Sequence, residues 1–114
     1  MRVAVISVTR KGNLISRKIA ENISADCDRY VYGKIPDKDA EAYGSMRKIT
    51  EQCFAVYDGI VFVCACGIAV RMIAPYVASK LSDPAVIAVD EGGRFAVSLL
   101  SGHIGKANAL TERI

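Results

Sequence analysis

The chain has one histidine, His103, and it stands between two glycines in Ser101-Gly102-His103-Ile104-Gly105, with Asn108 three residues further on. An imidazole titrates near neutrality, so His103 is a candidate general acid or base. Its plainer role is a hydrogen bond to a carbonyl. Two other glycine-marked loops follow apolar runs: Thr9-Arg10-Lys11-Gly12-Asn13, and Cys64-Ala65-Cys66-Gly67 running on to Arg71. Glycine lets a backbone approach a ligand closely, and a helix N-terminus favours carboxylates and phosphates. Arg71 can hold a substrate carboxylate through paired hydrogen bonds; otherwise it is solvated or caps the core. Asp83, before Pro84, reads as a turn or cap residue. Asp90, Glu91 and Arg94 fall at a tight turn, where the acids are ordinary and the arginine pairs with them.

Some chemistries are excluded. Gly102-x-x-Gly105-Lys106 resembles part of a phosphate-binding loop, but Leu100 stands where the first glycine belongs and Ala107 follows the lysine. There is no G-x-G-x-x-G. Cys64 and Cys66 are separated by one residue, not the two of a zinc knuckle, and a lone histidine gives zinc little help. Small apolar residues at a strand end explain both cysteines. No metal site and no protein-held cofactor is expected.

The elements that carry these residues alternate. Val3 to Val8 is a β-branched run and reads as a strand. A polar loop follows, then a helix from Leu14 with Leu14, Ile15, Ile19 and Ile23 on its apolar face. A second strand lies within Asp28 to Lys34. The stretch from Pro36 to Glu41 reads as a loop, and a helix runs from Glu41 or Ser45 to Ala55. Ile60 to Ala65 is the most apolar run, as expected of a strand covered on both faces. A helix from Ile68 to Ala78 contains Pro75, which kinks or ends it. Ala85 to Val89 and Phe95 to Leu100 are strands joined across Asp90-Glu91-Gly92-Gly93-Arg94 as a hairpin. A last helix starts at Lys106. This order predicts an α/β fold: a doubly wound, mostly parallel sheet with helices on both faces and an antiparallel hairpin edge. Residues 1–114 form one such domain. The final helix is two turns long at Ile114, with no helix-ending glycine, so the chain is expected to be the amino-terminal part of a longer protein.

Composition agrees. Of 114 residues, 52% are hydrophobic and 24% charged, which suits a packed domain. No apolar run is long enough to span a bilayer. The net charge of +3 is spread along the chain, which argues against nucleic acid and suits a carboxylate-rich ligand. Four cysteines without a signal sequence suggest a reducing, cytoplasmic compartment.

Several strings together resemble the CbiG family of cobalamin biosynthesis. Gly67-Ile68-Ala69-Val70-Arg71-Met72-Ile73-Ala74-Pro75 is similar to that family's G-I-A-V-R-x-I-A-P segment. Asp83-Pro84-Ala85-Val86 with Val89-Asp90-Glu91 resembles the next, and Leu99-Leu100-Ser101-Gly102-His103-Ile104-Gly105 with Ala107-Asn108 resembles L-L-S-G-H-x-G-x-A-N. The resemblance implies an amino-terminal domain of a cobalt-precorrin-5A hydrolase. Such an enzyme opens the δ-lactone of the macrocycle and releases acetaldehyde to give cobalt-precorrin-5B, and cobalt belongs to the substrate. That chemistry needs a base, and His103 is the candidate, acting either on the hydroxyl or on the attacking water. Arg71 and Arg94 would grip acetate and propionate chains, with Gly67, Ser101, Gly102, Gly105 and Asn108 lining the site. The remaining domains of the same enzyme are implied partners, with no membrane and with a homodimer as an option. The alternative is a non-catalytic module that binds the tetrapyrrole or supports assembly.

Overall fold

Val3 and Val5 point to one face of the first strand, Ala4 and Ile6 to the other, and all four are fully buried. A strand apolar on both sides needs cover on both sides, and the computed structural model, which describes residues 1–23, 26–79 and 82–101, supplies it. The order is β1 (Arg2–Ser7), α1 (Arg10–Asn22), β2 (Asp26–Tyr32), β3 (Glu41–Tyr43), α2 (Met46–Val56), β4 (Gly59–Val63), α3 (Cys66–Ile73), β5 (Ala85–Val89) and β6 (Ala96–Ser101). They form a six-stranded sheet in the order β3-β2-β1-β4-β5-β6. All neighbours are parallel except β5 and β6. The expected α/β sheet with an antiparallel edge is therefore present.

The strand alternation sorts the core into two layers. Val3, Val5, Val61, Val63, Ile87 and Val89 face α1, which contributes Ile19. Ala4, Ile6, Ile60, Phe62, Val86 and Ala88 face α2 and α3, which contribute Ile49, Cys53, Ala69 and Ile73. Phe62 is the largest fully buried side chain. Removing such a side chain costs about 3–5 kcal/mol.

Several boundaries differ from expectation for identifiable reasons. Helix α1 begins at Arg10, not Leu14, because Thr9 Oγ1 accepts from Gly12 N at 3.0 Å and caps it. That cap is worth about 1 kcal/mol. The helix therefore buries Gly12, Asn13, Ser16 and Ile19, while Leu14 points outward. Strand β3 replaces the expected loop or helix start at Glu41. Ser45 accepts from Lys48 N and starts α2 at Met46. Helix α3 starts at Cys66, two residues early, and stops at Ile73, giving way to a 3₁₀ turn over Ala74–Tyr76 that accommodates Pro75. Strand β5 matches its expected bounds. The expected helix from Lys106 lies outside the described residues.

Candidate functional site

The strand order reverses between β1 and β4, which are neighbours in the sheet but separated in sequence by α1, β2, β3 and α2. Loops leaving such a pair diverge to opposite faces and open a crevice beyond their carboxyl ends, where ligands of open α/β sheets bind. Here the walls are the N-termini of α1 and α3. Neither first turn holds an acidic residue, and α3 has no side-chain cap. Arg10 and Lys11 are exposed at one wall, and Cys66 and Gly67 at the other. Two helix N-termini and basic side chains suit this edge to carboxylates.

The two glycines of these walls differ. A methyl group on Gly12 would stand 3.2 Å from Thr9 Oγ1 and 3.3 Å from the Val63 carbonyl oxygen, so Gly12 lets α1 press against the end of β4. A methyl group on Gly67 would meet nothing among the described residues within 4 Å. Packing explains the first glycine. At the second, packing among the described residues gives no reason for a glycine.

The third wall is the turn between β5 and β6. Asp90 accepts from the backbone N–H groups of Gly92, Arg94 and Phe95 at 3.2, 2.8 and 2.7 Å. These bonds, with Phe95 N–H first, hold its carboxyl below the usual range. Gly93 has φ +71° and a methyl there would come within 2.9 Å of Ile15 Cδ1, so the turn lies against α1. Cys64 N donates to Val89 O at 3.1 Å, which ties β4 to the start of the turn. Burial first, and then the charge of Glu91, push the Cys64 thiol up to about 11. The turn presents Arg94, whose Nε lies 3.8 Å from Asp90 Oδ2, in an exposed position.

A buried polar web braces the crevice from below. Ser7 Oγ donates to Asn13 Oδ1 at 2.6 Å, and Asn13 Nδ2 donates to Ile35 O at 3.1 Å. Arg29, only 7% exposed, reaches Ser16 Oγ at 3.1 Å, Lys38 O at 3.0 Å and Asn13 O at 3.1 Å. It also pairs with Asp37, which Arg17 grips from the other side at 2.6 Å. The hydrogen bond from Arg29 holds the Asp37 carboxyl below the usual range. Sequence reading missed Asn13 and Arg29; β2 carries Asp26 and Asp28 as well, so nothing in its pattern singled out Arg29 as the buried charge.

The structure thus brings Gly67 and Arg94 to one edge. Arg71 is exposed in the last turn of α3, one turn from Gly67. Helical side chains lean toward the N-terminus, here the crevice end. Ser101 lies elsewhere. Because β6 runs antiparallel, Ser101 pairs with Ala85 at the amino edge, whereas Ala96 pairs with Val89 at the carboxyl edge. Roughly 17 Å of strand separates the two. Gly102, His103, Gly105 and Asn108 lie outside the described residues. Asp83, expected as a turn or cap residue, accepts from Ala78 N and Ser79 N and so braces the turn before β5. Among the described residues no cluster of His, Cys, Asp and Glu can hold a metal ion, and no helix is long and apolar enough to cross a membrane.

Comparison with known proteins adds to this geometry. The family described as Cobalamin synthesis G N-terminal matches residues 48–114. The chain belongs to this family. Its matched region runs from the first turn of α2 through α3 and the β5–β6 hairpin, and so includes two of the three crevice walls. A cobalt-precorrin-5A hydrolase of Salmonella typhimurium is 37% identical over 111 residues, covering 96% of this chain and 31% of that protein. One from Priestia megaterium is 36% identical over 117 residues, again covering 31% of its length. A cobalamin biosynthesis protein G homolog from Sulfolobus solfataricus shares the fold with a TM-score of 0.75 at 30% identity, over 96% of this chain and 32% of that one. This member of the cobalamin synthesis G N-terminal family therefore spans about a third of the length of its relatives.

Proposed function

We propose that the chain is the amino-terminal domain of a cobalt-precorrin-5A hydrolase of cobalamin biosynthesis, acting in the cytoplasm. The observation that carries this reading is its 37% identity, over nearly its whole length, to a protein of that name. The substrate is a cobalt-bearing tetrapyrrole with acidic side chains, and no further cofactor is needed.

The crevice suits the acidic rim of such a ligand. Arg94 and Arg71 grip acetate or propionate groups, and the N-terminus of α3 at Gly67 takes a carboxylate. The chemistry asks for two steps. Water adds to the lactone carbonyl, the ring C–O bond breaks, and donors stabilise the oxyanion. A base then takes the proton from the freed hydroxyl, the C–C bond breaks and acetaldehyde leaves. The electron pair passes into the macrocycle. His103 is the proposed base, and Ser101, Gly102, Gly105 and Asn108 are the proposed substrate-binding residues of the same stretch of chain.

The second reading is a domain that binds the tetrapyrrole or supports assembly while other parts of the enzyme do the chemistry. It is favoured by the opposite placement of Ser101 and Arg94 on the sheet. Acetaldehyde release from cobalt-precorrin-5A, coupled to alcohol dehydrogenase, separates the two. Turnover by this chain alone supports a complete catalytic site; turnover only by the full-length enzyme supports the binding module. In the full-length enzyme His103→Ala is expected to lower turnover by about 10²–10⁴-fold. Near-normal turnover would remove His103 from the mechanism.

A further inference from the structure

The turn from β5 to β6 is wound on one side chain. Asp90 Oδ1 accepts from the backbone N–H groups of Arg94 and Phe95, and Oδ2 accepts from that of Gly92. The Asp90 carbonyl accepts from Gly93 N at 2.9 Å, and Asp90 N donates to Phe95 O at 3.2 Å. The same carboxylate meets the side chain of the arginine whose backbone it holds. Arg94 Nε lies 3.8 Å from Asp90 Oδ2, and the guanidinium carbon lies 5.7 Å from the centre of the Phe95 ring. A long side chain that is 78% exposed would otherwise sample many rotamers. Among the described residues Phe95 keeps 66% of its own surface exposed, so burial there does not explain an aromatic residue at this place. Its contact with the guanidinium does.

We propose that Asp90 is a positioning residue for substrate binding: it fixes the backbone and side chain of Arg94, with Phe95 as a second support, so that the guanidinium meets a peripheral carboxylate of the tetrapyrrole already ordered. The inference rests on the functional reading above and gives Asp90 a role which that reading leaves open. A guanidinium grips a carboxylate through paired N–H groups. Ordering the side chain beforehand removes part of the entropic cost of that grip. The place in the fold suits the role. Val89, just before Asp90, accepts from Cys64 N at the carboxyl end of β4, and Gly93 lies against Ile15 of α1. The base of the turn is thus fixed to elements that line the crevice, and Asp90 sets how Arg94 is held there. A peripheral carboxylate takes no part in the bonds made and broken. Its contact is therefore equal in ground state and transition state, and weakening it changes KM and not kcat.

The test uses the full-length enzyme and acetaldehyde release from cobalt-precorrin-5A. Asp90→Asn keeps the shape and one oxygen for the Arg94 and Phe95 N–H groups, but sets an amide N–H against Gly92 N and the guanidinium. It is expected to raise KM about 3–10-fold with kcat within about twofold of native. Phe95→Leu, at an exposed position, leaves the backbone bonds in place and is expected to raise KM about 2–5-fold. It reports even if Asp90→Asn fails to fold, which circular dichroism will show. Both changes are then made in an Arg94→Met background, where neither is expected to raise KM further. A merely structural turn would give the same rise with or without the guanidinium. That result, an unchanged KM in either variant, or a fall in kcat at unchanged KM would each overturn the proposal while leaving the functional reading in place. A native enzyme that releases no acetaldehyde would overturn the functional reading and this inference with it.

Discussion

Arg29→Met removes the guanidinium at the centre of the web beneath the crevice and leaves a side chain of similar length. Its four acceptors are not equally affected. Asn13 O still accepts from Ser16 Oγ at 2.9 Å, and Asp37 is still held by Arg17. Lys38 O and the Ser16 hydroxyl lose one bond each. The main loss is the charge-assisted bond to Asp37, worth about 1.5–3 kcal/mol. Methionine recovers part of that by sparing the desolvation of a buried charge. The net cost is about 2 kcal/mol, a fall of about 8 °C in Tm for a chain of 114 residues. Urea unfolding of the single variants and of Arg29→Met with Asp37→Asn gives the coupling directly. The sign of its pH dependence follows from Asp37, whose folded-state carboxyl is held below the usual range, chiefly by Arg29. The stability this pair contributes is fully present above the ordinary aspartate value of about 3.9 and is lost as pH falls through the lower folded value. The gap between native and Arg29→Met proteins is therefore full at neutral pH and closes on acidification. A coupling below about 0.5 kcal/mol, typical of exposed pairs, or a gap that widens in acid, would refute the reasoning.

Gly93→Ala is expected to cost about 1–2 kcal/mol, because φ there is positive and the new methyl meets Ile15. Adding Ile15→Val should recover the contact part and leave the backbone part, as thermal melts will report. Iodoacetamide at pH 8 should modify Cys66 first, since it is exposed. Burial pushes the Cys53 thiol up to about 12 and those of Cys27 and Cys64 to about 11. Labelling of Cys53 before Cys66, followed by mass spectrometry, would contradict that packing. Tyr57→Phe removes the hydroxyl that donates to Asp28 Oδ2 at 2.6 Å and meets the Tyr30 hydroxyl at 2.6 Å. A loss of about 1 kcal/mol in urea unfolding is expected.

The sheet was readable because β1, β4 and β5 are apolar on both faces, a pattern only buried parallel strands need. Helix α1 was read late because its first turn, Arg10-Lys11-Gly12-Asn13, has no large apolar residue. Its buried positions before Ile19 are Gly12, Asn13 and Ser16, which pack or hydrogen-bond instead. Thr9 three residues before Gly12 was the missed sign. Strand β3 is three residues long, too short for any periodicity, and exists because Gly33 N donates to Tyr43 O at 2.8 Å beside β2. Of the candidate site, Gly67 and Arg94 do share an edge. What spacing concealed was direction. Arg94 and Ser101 are close in sequence, yet one antiparallel strand carries them to opposite edges of the sheet.

The reversal of strand order between β1 and β4 also bears on when the crevice comes into being. The β1–α1–β2 unit and the β5–β6 hairpin close through short loops. Val3 meets Gly59 only after the whole intervening chain has been gathered in. Such long-range parallel pairing is the slow, entropically costly part of folding. A chain lacking it has both helix N-termini but no crevice between them. Binding of the proposed substrate in this crevice would thus be linked to global folding. A ligand at 100 times its Kd would raise the unfolding free energy of the whole domain by about 2.7 kcal/mol, and nascent or damaged chains would be left without that protection.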